Sequence, residues 1–329
     1  MKIHHLLTVL IVLIFNSCSN TTDSSKSMLL SSGGNTSELL IVTHKSWWEG
    51  AIGDTIKATL GSANEWLMQD EATYLITRIP PKSFEGPYQK QRNILIIARA
   101  ENLSKAKIDI KKDVWASPQI IVKISIPNES SFAEIYTKYY PQISKLFHQN
   151  ELIRLNKSFS ISPSKVVSKQ VEEKFNIKLQ LPKGYVLSMD TTDFIWLRCE
   201  SRDIEQGILI YSYPYSDTSQ FGEKKVIEQR NLITKKYIPG PVEKSYMQVS
   251  QKFPPYSERT EFKKNYAILL RSWWELDKYP MGGPFLSYTF YDEKNKRMLV
   301  LDSYVYAPNK DKRDILIQIE AVFDTFEFL

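Results

Sequence analysis

The chain has 329 residues, of which 42% are hydrophobic and 24% are charged, as in ordinary globular proteins and unlike disordered or fibrous ones. This length is enough for two domains of common size. The formal charge of +6 arises from 43 lysines and arginines dispersed among 37 acidic residues. Because nucleic-acid binding needs basic residues clustered on one surface, the dispersed charge predicts no nucleic-acid partner.

Residues 1–17 have the pattern of a secretory signal peptide. Lys2 precedes an apolar stretch, 6–15, which is too short to span a bilayer and matches the length of a signal's hydrophobic region. The stretch leads into Ser17-Cys18, and a small residue directly before a cysteine resembles the lipobox of bacterial lipoproteins. The resemblance implies that Cys18 carries lipid and attaches the chain to a membrane. An ordinary signal peptide with an incidental cysteine is the alternative.

Residues 18–37 are predicted to be a lipidated, flexible tether. They are rich in serine, threonine, asparagine and glycine, and such a segment cannot bury enough apolar surface to order itself. By resemblance to lipoproteins of two-membrane bacteria, Ser19 after the cysteine argues against retention in the inner membrane. The predicted location is therefore the cell envelope, at the outer membrane and facing the periplasm. Cys199 is the only other cysteine, so no intramolecular disulfide is expected in a lipidated chain.

Residues 38–156 are predicted to form an α/β or α+β domain. Apolar runs predict strands at 39–43, 74–79, 93–98, 107–110 and 119–126. Helical spacing predicts one helix over 44–60 and a long one from 128, in which Pro141 should introduce a kink or a division. The serine-rich segment 157–168 is the predicted linker.

Residues 169–329 are predicted to form the second domain, with the clearest pattern at its end. Three aromatic-rich apolar runs, 266–274, 285–291 and 298–306, are separated by turn residues, and a helical pattern follows over 311–326. This pattern predicts an antiparallel meander. The predicted fold class is α+β, with two domains, the second being an antiparallel sheet meander with packed helices.

Six short motifs follow one another along the chain. They are Glu38–Val42 with Trp48-Glu49-Gly50, Ile79-Pro80-Pro81 with Phe84, Arg92–Ile96, Tyr237–Pro241, Met281–Phe285 and Val305–Pro308. Together with the lipobox, they resemble an uncharacterised domain-of-unknown-function family of lipoproteins from Bacteroidota. That family has no assigned activity, so the resemblance implies location and architecture only. More distantly, 175–185 and 319–328 resemble the first hairpin and last helix of the PsbP-like fold.

Catalytic patterns are scarce in this sequence. His44 lies at a predicted strand end without a recognisable partner, and His148 is predicted to be a partly exposed helix residue. Cys199, in an apolar strand, is predicted to be an inert thiol. The sequence contains no nucleophile-elbow, phosphate-loop, dinucleotide-binding or zinc-ligand spacing. No catalytic residue, metal or cofactor is therefore predicted.

Paired carboxylates are the alternative route to an enzyme. Glu49 and Asp54 lie on one predicted helix, and Glu275 and Asp277 lie near a predicted strand end. Two acids that converge in space can hydrolyse a glycosidic bond. A hydrolase of envelope glycans or peptides is accordingly the second hypothesis.

Exposed aromatic rings favour the first hypothesis, which is binding. Adjacent residues of a strand face opposite sides, and adjacent residues of a helix point about 100° apart, so each Trp-Trp pair should have one core ring and one outward ring. The ligand-binding candidates are Trp48, Trp273, Trp274, Gly282 and Gly283, the two glycines lying in a predicted turn. The sequence thus predicts a lipid-anchored envelope protein with a non-catalytic role in binding or assembly, its partner being an envelope protein or a glycan.

Overall fold

The computed structural model describes residues 29–65 and 67–329. The predicted signal peptide, Cys18 and the first part of the predicted tether lie outside the described residues. The described residues form an α+β fold of six α-helices and fifteen strands, which are arranged in a five-stranded, an eight-stranded and a two-stranded sheet. The predicted fold class is confirmed.

The five-stranded sheet forms the first domain and has the strand order β2-β1-β3-β5-β4. Its strands are β1 Glu38–Val42, β2 Leu75–Ile79, β3 Asn93–Arg99, β4 Lys107–Lys112 and β5 Ile120–Ile126. The first, second, third and fifth strands are parallel, and β4 is an antiparallel edge strand on β5. The near-continuous apolar runs of β1, β3 and β5 are those expected for parallel strands.

Three helices pack on one face of this sheet, namely α1 Lys45–Trp48, α2 Ala51–Thr59 and α3 Ser130–Ile161. The helix predicted over 44–60 is interrupted at Gly50, which is the first residue before α2 and has an extended backbone. Helix α3 is one helix of 32 residues with Pro141 inside it, so the division considered at that proline does not occur. Buried Tyr136 and Ile143 on either side of Pro141 pack into the same core.

Helix α3 connects the two domains. At 1.5 Å per residue it is about 48 Å long. Phe132 and Phe147 pack in the core of the first domain, whereas Leu155 and Phe159 pack in that of the second. The segment predicted as a linker, 157–168, contains the end of α3, three non-helical residues and the start of the next helix, α4 Lys165–Phe175.

The second domain is built on the eight-stranded antiparallel sheet. Its strands are β7 Val186–Thr191, β8 Phe194–Ser201, β9 Ile204–Pro214, β10 Met247–Val249, β11 Tyr256–Phe262, β12 Asn265–Leu276, β13 Tyr279–Asp292 and β14 Arg297–Tyr306. The order is β10-β12-β13-β14-β9-β8-β7, with β11 also beside β12. The predicted meander corresponds to β12, β13 and β14.

Helices cover both faces of this sheet. One face packs against α3, α4 and α6 Arg313–Asp324, and the other against α5 Glu223–Tyr237. The two-stranded sheet pairs β6 Ile177–Lys178 with β15 Glu327–Phe328. The result is a three-layer domain with an apolar core on each side of the sheet.

A buried ion pair lies beneath α5. Arg230 Nε and Asp302 Oδ2 are 2.9 Å apart, and both side chains are almost completely inaccessible to solvent. The guanidinium lies 3.7 Å from the centre of the Phe285 ring. Burial raises the pKa of Asp302 to about 6, although the charge of Arg230 opposes this rise. Each charge is therefore tolerated in the core chiefly because the other is present.

Candidate functional site

The two domains meet at the N-terminus of α6. The carboxylate of Glu71, in a loop of the first domain, accepts hydrogen bonds from Lys312 N at 2.8 Å and from Arg313 N at 2.7 Å. A negative charge is favourable at a helix N-terminus, where the first N–H groups lack intrahelical partners. A residue of one domain thus caps a helix of the other.

A buried polar cluster fixes α3 to the start of β3. Glu151 accepts from Arg92 Nη1 at 3.0 Å and from Asn93 Nδ2 at 2.8 Å, and Arg154 contacts the same carboxylate. Asn150 Nδ2 donates to the carbonyl oxygen of Arg92. Glu151 is almost fully buried, so this network holds α3 in place where it leaves the first domain.

A second charged cluster joins three elements across the domain boundary. Glu320 of α6 lies 3.3 Å from His148 Nε2 of α3 and 3.1 Å from Arg271 Nη2 of β12. Burial would raise the pKa of the Glu320 carboxyl, but Arg271 and His148 hold it well below its usual range. Burial would lower the pKa of His148, but Glu320 outweighs this and raises it. The cluster is therefore most stable when all three groups are charged.

These groups line a cleft of about 910 Å³ between the domains. Tyr74, Lys145 and Tyr256 also line it. A general acid at neutral pH needs a carboxyl group with a raised pKa, whereas that of Glu320 is lowered. The charged groups of the cleft thus form ion pairs that connect the two domains, and His148 takes part in one of them.

The carboxylates considered for a hydrolase lie in exposed or half-exposed ion pairs. Glu49 and Asp54 belong to the first domain, and Glu275 and Asp277 to the second. Their lysine partners are, in the same order, Lys45 at 3.5 Å, Lys57 at 3.3 Å, Lys252 at 3.4 Å and Lys278 at 3.8 Å. Such pairs are common on protein surfaces and contribute little to stability.

The tryptophan pair of α1 is divided between core and surface. Trp47 is buried in the first core, and Trp48 is half-buried. The ammonium of Lys57 lies 4.8 Å from the centre of the Trp48 ring. One side of the Trp48 ring is therefore occupied by a cation–π contact within the chain.

The pair on β12 is divided in the same way. Trp274 is 1% exposed, and its indole N–H donates to the carbonyl oxygen of Val305 at 3.1 Å. Trp273 is half-buried and belongs to the opposite face of the strand. Of these two ligand-binding candidates, only Trp273 reaches the surface, because alternation along β12 directs Trp274 into the core.

The two glycine candidates lie inside β13 and not in a turn, which corrects the interpretation of their surroundings. Gly282 pairs with Glu275, and Gly283 pairs with Trp274. A Cβ atom on Gly283 would lie 1.9 Å from the carbonyl oxygen of Val305, and one on Gly282 would lie 2.6 Å from that of Trp274. Close approach of neighbouring backbone, and not a turn, requires glycine at both positions.

Trp273 and Gly282 line a surface groove of about 510 Å³, and Gly283 lies behind it in the sheet. Phe253, Tyr279 and Met281 add apolar surface, and the Phe253 and Trp273 ring centres are 6.0 Å apart. Gly282 leaves room for the Trp273 ring, since a Cβ there would lie 3.0 Å from the indole nitrogen.

Several residues of this groove carried no signal in the sequence. Phe253 lies in the loop before β11, and Met68, which is 52% exposed, comes from the first domain. Glu275 and Lys252 supply charge beside the rings. Trp48 does not line this groove. Only the tertiary structure brings these separate segments together.

Other site types find no support in the part of the chain that the structure describes. No group of three or more histidines, cysteines, aspartates and glutamates is placed to hold a metal ion there. No helix among residues 29–65 and 67–329 is long and apolar enough to cross a membrane. Burial raises the pKa of the Cys199 thiol, which disfavours the reactive thiolate.

Two family models match the chain, one for each domain. Residues 32–160 match a domain of unknown function (DUF8532), and residues 164–325 match another domain of unknown function (DUF4837). No curated protein sequence matches the chain.

The solved structures similar to this chain share little sequence with it. The Ran-binding protein Mog1p of Saccharomyces cerevisiae has 10% identity and a TM-score of 0.31, over 46% of this chain and 90% of Mog1p. LpqN of Mycobacterium tuberculosis, described as involved in cell envelope biogenesis, has 15% identity and a TM-score of 0.27, over 45% of this chain and 79% of LpqN. No functional statement about this chain follows from likenesses of this degree.

Proposed function

We propose that this chain, which joins one domain from each of two families of unknown function, is a lipid-anchored cell-envelope protein that binds a partner without catalysing a reaction. Lipid on Cys18 would hold it at the outer membrane, facing the periplasm. The signal-like apolar stretch, the residues Ser17-Cys18 and the polar segment after them support this location. Each buried methylene of a lipid chain would contribute about 0.8 kcal/mol to membrane attachment.

The single observation that carries the binding role is the outward Trp273 ring in its groove. A half-buried indole beside Phe253, Tyr279 and Met281 offers a flat apolar surface with charged groups at its edge. Such a surface suits stacking on a sugar ring or on an apolar side chain of a peptide. The partner class is therefore an envelope glycan or a segment of an envelope protein. Since the candidate carboxylates lie in ordinary ion pairs, the geometry favours binding over hydrolysis.

Membrane fractionation tests the anchor. The Cys18→Ser variant should leave the membrane fraction, because it lacks the thiol that lipid would modify. Incorporation of a labelled fatty acid should be lost with it. A Cys199→Ser variant is the control and should stay with membranes. If the parent chain incorporates no labelled fatty acid, the lipoprotein proposal fails.

Binding to purified cell-wall glycan fragments and to solubilised envelope proteins tests the groove. Trp273→Ala should reduce capture of one of these two partner classes by about tenfold or more, as expected for an aromatic residue at the centre of an interface. Trp48→Ala is the matched control, because it removes a half-buried tryptophan outside the groove. Equal capture by Trp273→Ala and the parent chain would show that the groove does not bind the partner.

A further inference from the structure

The five-stranded sheet of the first domain has a second face that no α-helix of the described chain covers. Alternate residues of four strands form a small apolar cluster on it: Leu40, Val42, Ile79, Ile94 and Ile121. Only loops pack on this cluster, through Phe84 and Trp115, whose rings meet edge to face with centres 5.4 Å apart. Elsewhere on this face, Thr77, Lys111 and Lys123 are exposed.

A pocket of about 410 Å³ opens beside Trp115 on this face. Ile96, Ile121 and Val114 supply its apolar lining, and Lys111, Lys123 and Asp109 supply its charged groups. Val114 is 37% exposed. The pocket thus combines an apolar lining with two lysines and one aspartate, and the excess of one positive charge suits an amphipathic anionic ligand.

The charge around this pocket is only partly neutralised within the described residues, because two lysines face one aspartate. Lys111 and Lys123 are exposed, and neither forms an ion pair within residues 29–65 and 67–329. The nearby acids have other partners: Asp109 pairs with Lys107 at 2.7 Å, and Asp113 accepts a hydrogen bond from Gln119 N at 2.8 Å. Both lysines are exposed and can contact anionic groups outside the protein, although Asp109 lies opposite Lys123 in the strand pairing.

The N-terminal segment enters the fold at this face. The carbonyl oxygen of Leu30 accepts a hydrogen bond from Ser117 N at 2.9 Å, two residues beyond Trp115. Leu30 itself is 64% exposed. Ten residues lie between Cys18 and Leu29, and the eleven Cα-to-Cα steps that join the two span about 40 Å at most. A lipid on Cys18 would keep this side of the domain near the bilayer.

We infer that the open face of the first sheet, around Trp115, Val114, Lys111 and Lys123, rests on the surface of the membrane. Tryptophan suits the boundary between headgroups and acyl chains, since it has an apolar ring and a polar N–H group. Lysines near a bilayer are attracted by anionic lipid phosphates. The inference rests on the proposed anchor, which brings the face to the membrane. With the first domain held in this way, the Trp273 groove of the second domain is left for the partner.

Vesicle sedimentation tests the inference on residues 18–329 with Cys18→Ser, so that neither the apolar stretch 6–15 nor an acyl chain contributes. Vesicles of phosphatidylethanolamine with phosphatidylglycerol should bind this chain more tightly than vesicles of phosphatidylcholine. The added double change Lys111→Glu and Lys123→Glu should weaken binding to the anionic vesicles by about tenfold or more. Added salt should weaken it as well, because the contact is exposed and is screened.

The matched control places the same charge change in the second domain. Lys183 and Lys264 are exposed there, and Lys183→Glu with Lys264→Glu should leave vesicle binding unchanged. Equal binding by the two double variants overturns the inference. A second result also overturns it. If the Lys111→Glu and Lys123→Glu variant changes its sedimentation coefficient but not its vesicle binding, the face is a contact between two copies of the chain.

The outcomes separate this inference from the proposed anchor. If Cys18→Ser chains leave cell membranes but bind anionic vesicles only when Lys111 and Lys123 are present, both proposals stand. If the parent chain takes up no labelled fatty acid and the lysine changes release it from cell membranes, the anchor fails and the face alone holds the protein. If lipid labelling succeeds and the lysine changes have no effect on vesicle binding, the anchor stands and the inference about the face fails.

Discussion

The two large sheets of this protein differ in how many of their faces are covered. Helices α1, α2 and α3 pack on one face of the five-stranded sheet, and loops partly cover the other. The eight-stranded sheet is covered by helices on both faces. The same alternation of side chains therefore produces an open face in the first domain and a second core in the other.

The connections between strands account for the difference. Parallel strands need crossovers, and in the first domain the helical segments after β1 and β5 pack on the same side of the sheet. The antiparallel strands β12, β13 and β14 are joined by short turns, so none of the covering helices lies between them. Helices from elsewhere, including α3 of the first domain, then cover both faces. An uncovered face is thus a consequence of topology, and it is where an external partner such as a bilayer can bind.

The largest change in the free energy of unfolding is expected at the Arg230–Asp302 ion pair, on the sheet face that α5 covers. Arg230→Met should lower the free energy of unfolding by about 3–5 kcal/mol, because it leaves the buried carboxylate of Asp302 without its partner. Urea denaturation measures the change. Adding Asp302→Leu should recover most of the loss, since an apolar pair of similar volume no longer buries a lone charge. If the double variant is as unstable as the single one, packing of Arg230 on Phe285 dominates over charge.

The two neighbouring tryptophans of β12 test core against surface within one strand. Trp274→Ala should cost about 3–5 kcal/mol, the range for a large buried aromatic side chain. Trp273→Ala should cost about 1 kcal/mol, because its ring is only half-buried. Chemical denaturation of both variants gives the comparison. Equal losses would mean that Trp273 is as much a part of the core as Trp274, and would weaken its proposed role in binding.

The contact between domains should have an intermediate effect. Glu71→Ala removes the carboxylate that accepts from two backbone N–H groups at the start of α6 and should cost about 1–3 kcal/mol. Hydrogen exchange of the Lys312 and Arg313 amides should accelerate. The conservative change Glu71→Gln keeps an acceptor and should lose less. Unchanged exchange at both amides would contradict the capping role.

The smallest effect is expected from the titration of His148. Its pKa is raised in the folded chain, so the stability it contributes is fully present below its unfolded pKa of about 6.5 and is lost as pH rises through the folded value. The groups that face it are Glu320, Arg271 and Glu151. The free energy of unfolding of the parent chain, relative to His148→Gln, should therefore fall as pH rises above about 6.5 and become constant once pH exceeds the folded pKa.

The difference between the two His148 chains removes the contribution of other groups, such as Asp302, which titrates at about 6. A nuclear magnetic resonance titration of the imidazole provides an independent measurement of the same pKa. A parent chain and variant with the same pH dependence would show that the contact with Glu320 does not stabilise the fold.

Local sequence patterns predicted most elements of the fold. Apolar runs located the strands of the first sheet and the meander 266–306, because strand periodicity is set by neighbouring residues. The division of Trp273 and Trp274 followed from strand alternation, and that of Trp47 and Trp48 from the angle between adjacent residues of a helix. The interpretation of Gly282 and Gly283 as part of a turn was wrong. Gly-Gly-Pro is a local turn signal, but here the two glycines leave room for the backbone carbonyl groups of Trp274 and Val305.

Proline gave a similar local signal in α3. Pro141 removes one helical hydrogen bond, which predicts a kink or a division of the helix there. Side chains on both sides of it pack into one core, and the helix continues for 32 residues. Core packing along the helix therefore offsets the helical hydrogen bond lost at Pro141. That packing involves residues distant in the chain, so a short stretch of sequence does not show it.

The sequence by itself determined the fold class, the order of the elements and the predicted lipid site at Cys18, since each depends on residues that are close together in the chain. The tertiary structure alone decided which faces are covered and which groups meet. Glu71 reaches α6, His148 reaches Glu320, and Met68 reaches the Trp273 groove across separations of more than 100 residues. Such contacts depend on how whole elements pack, because burial and charge pairing are properties of the assembled core and not of a local pattern.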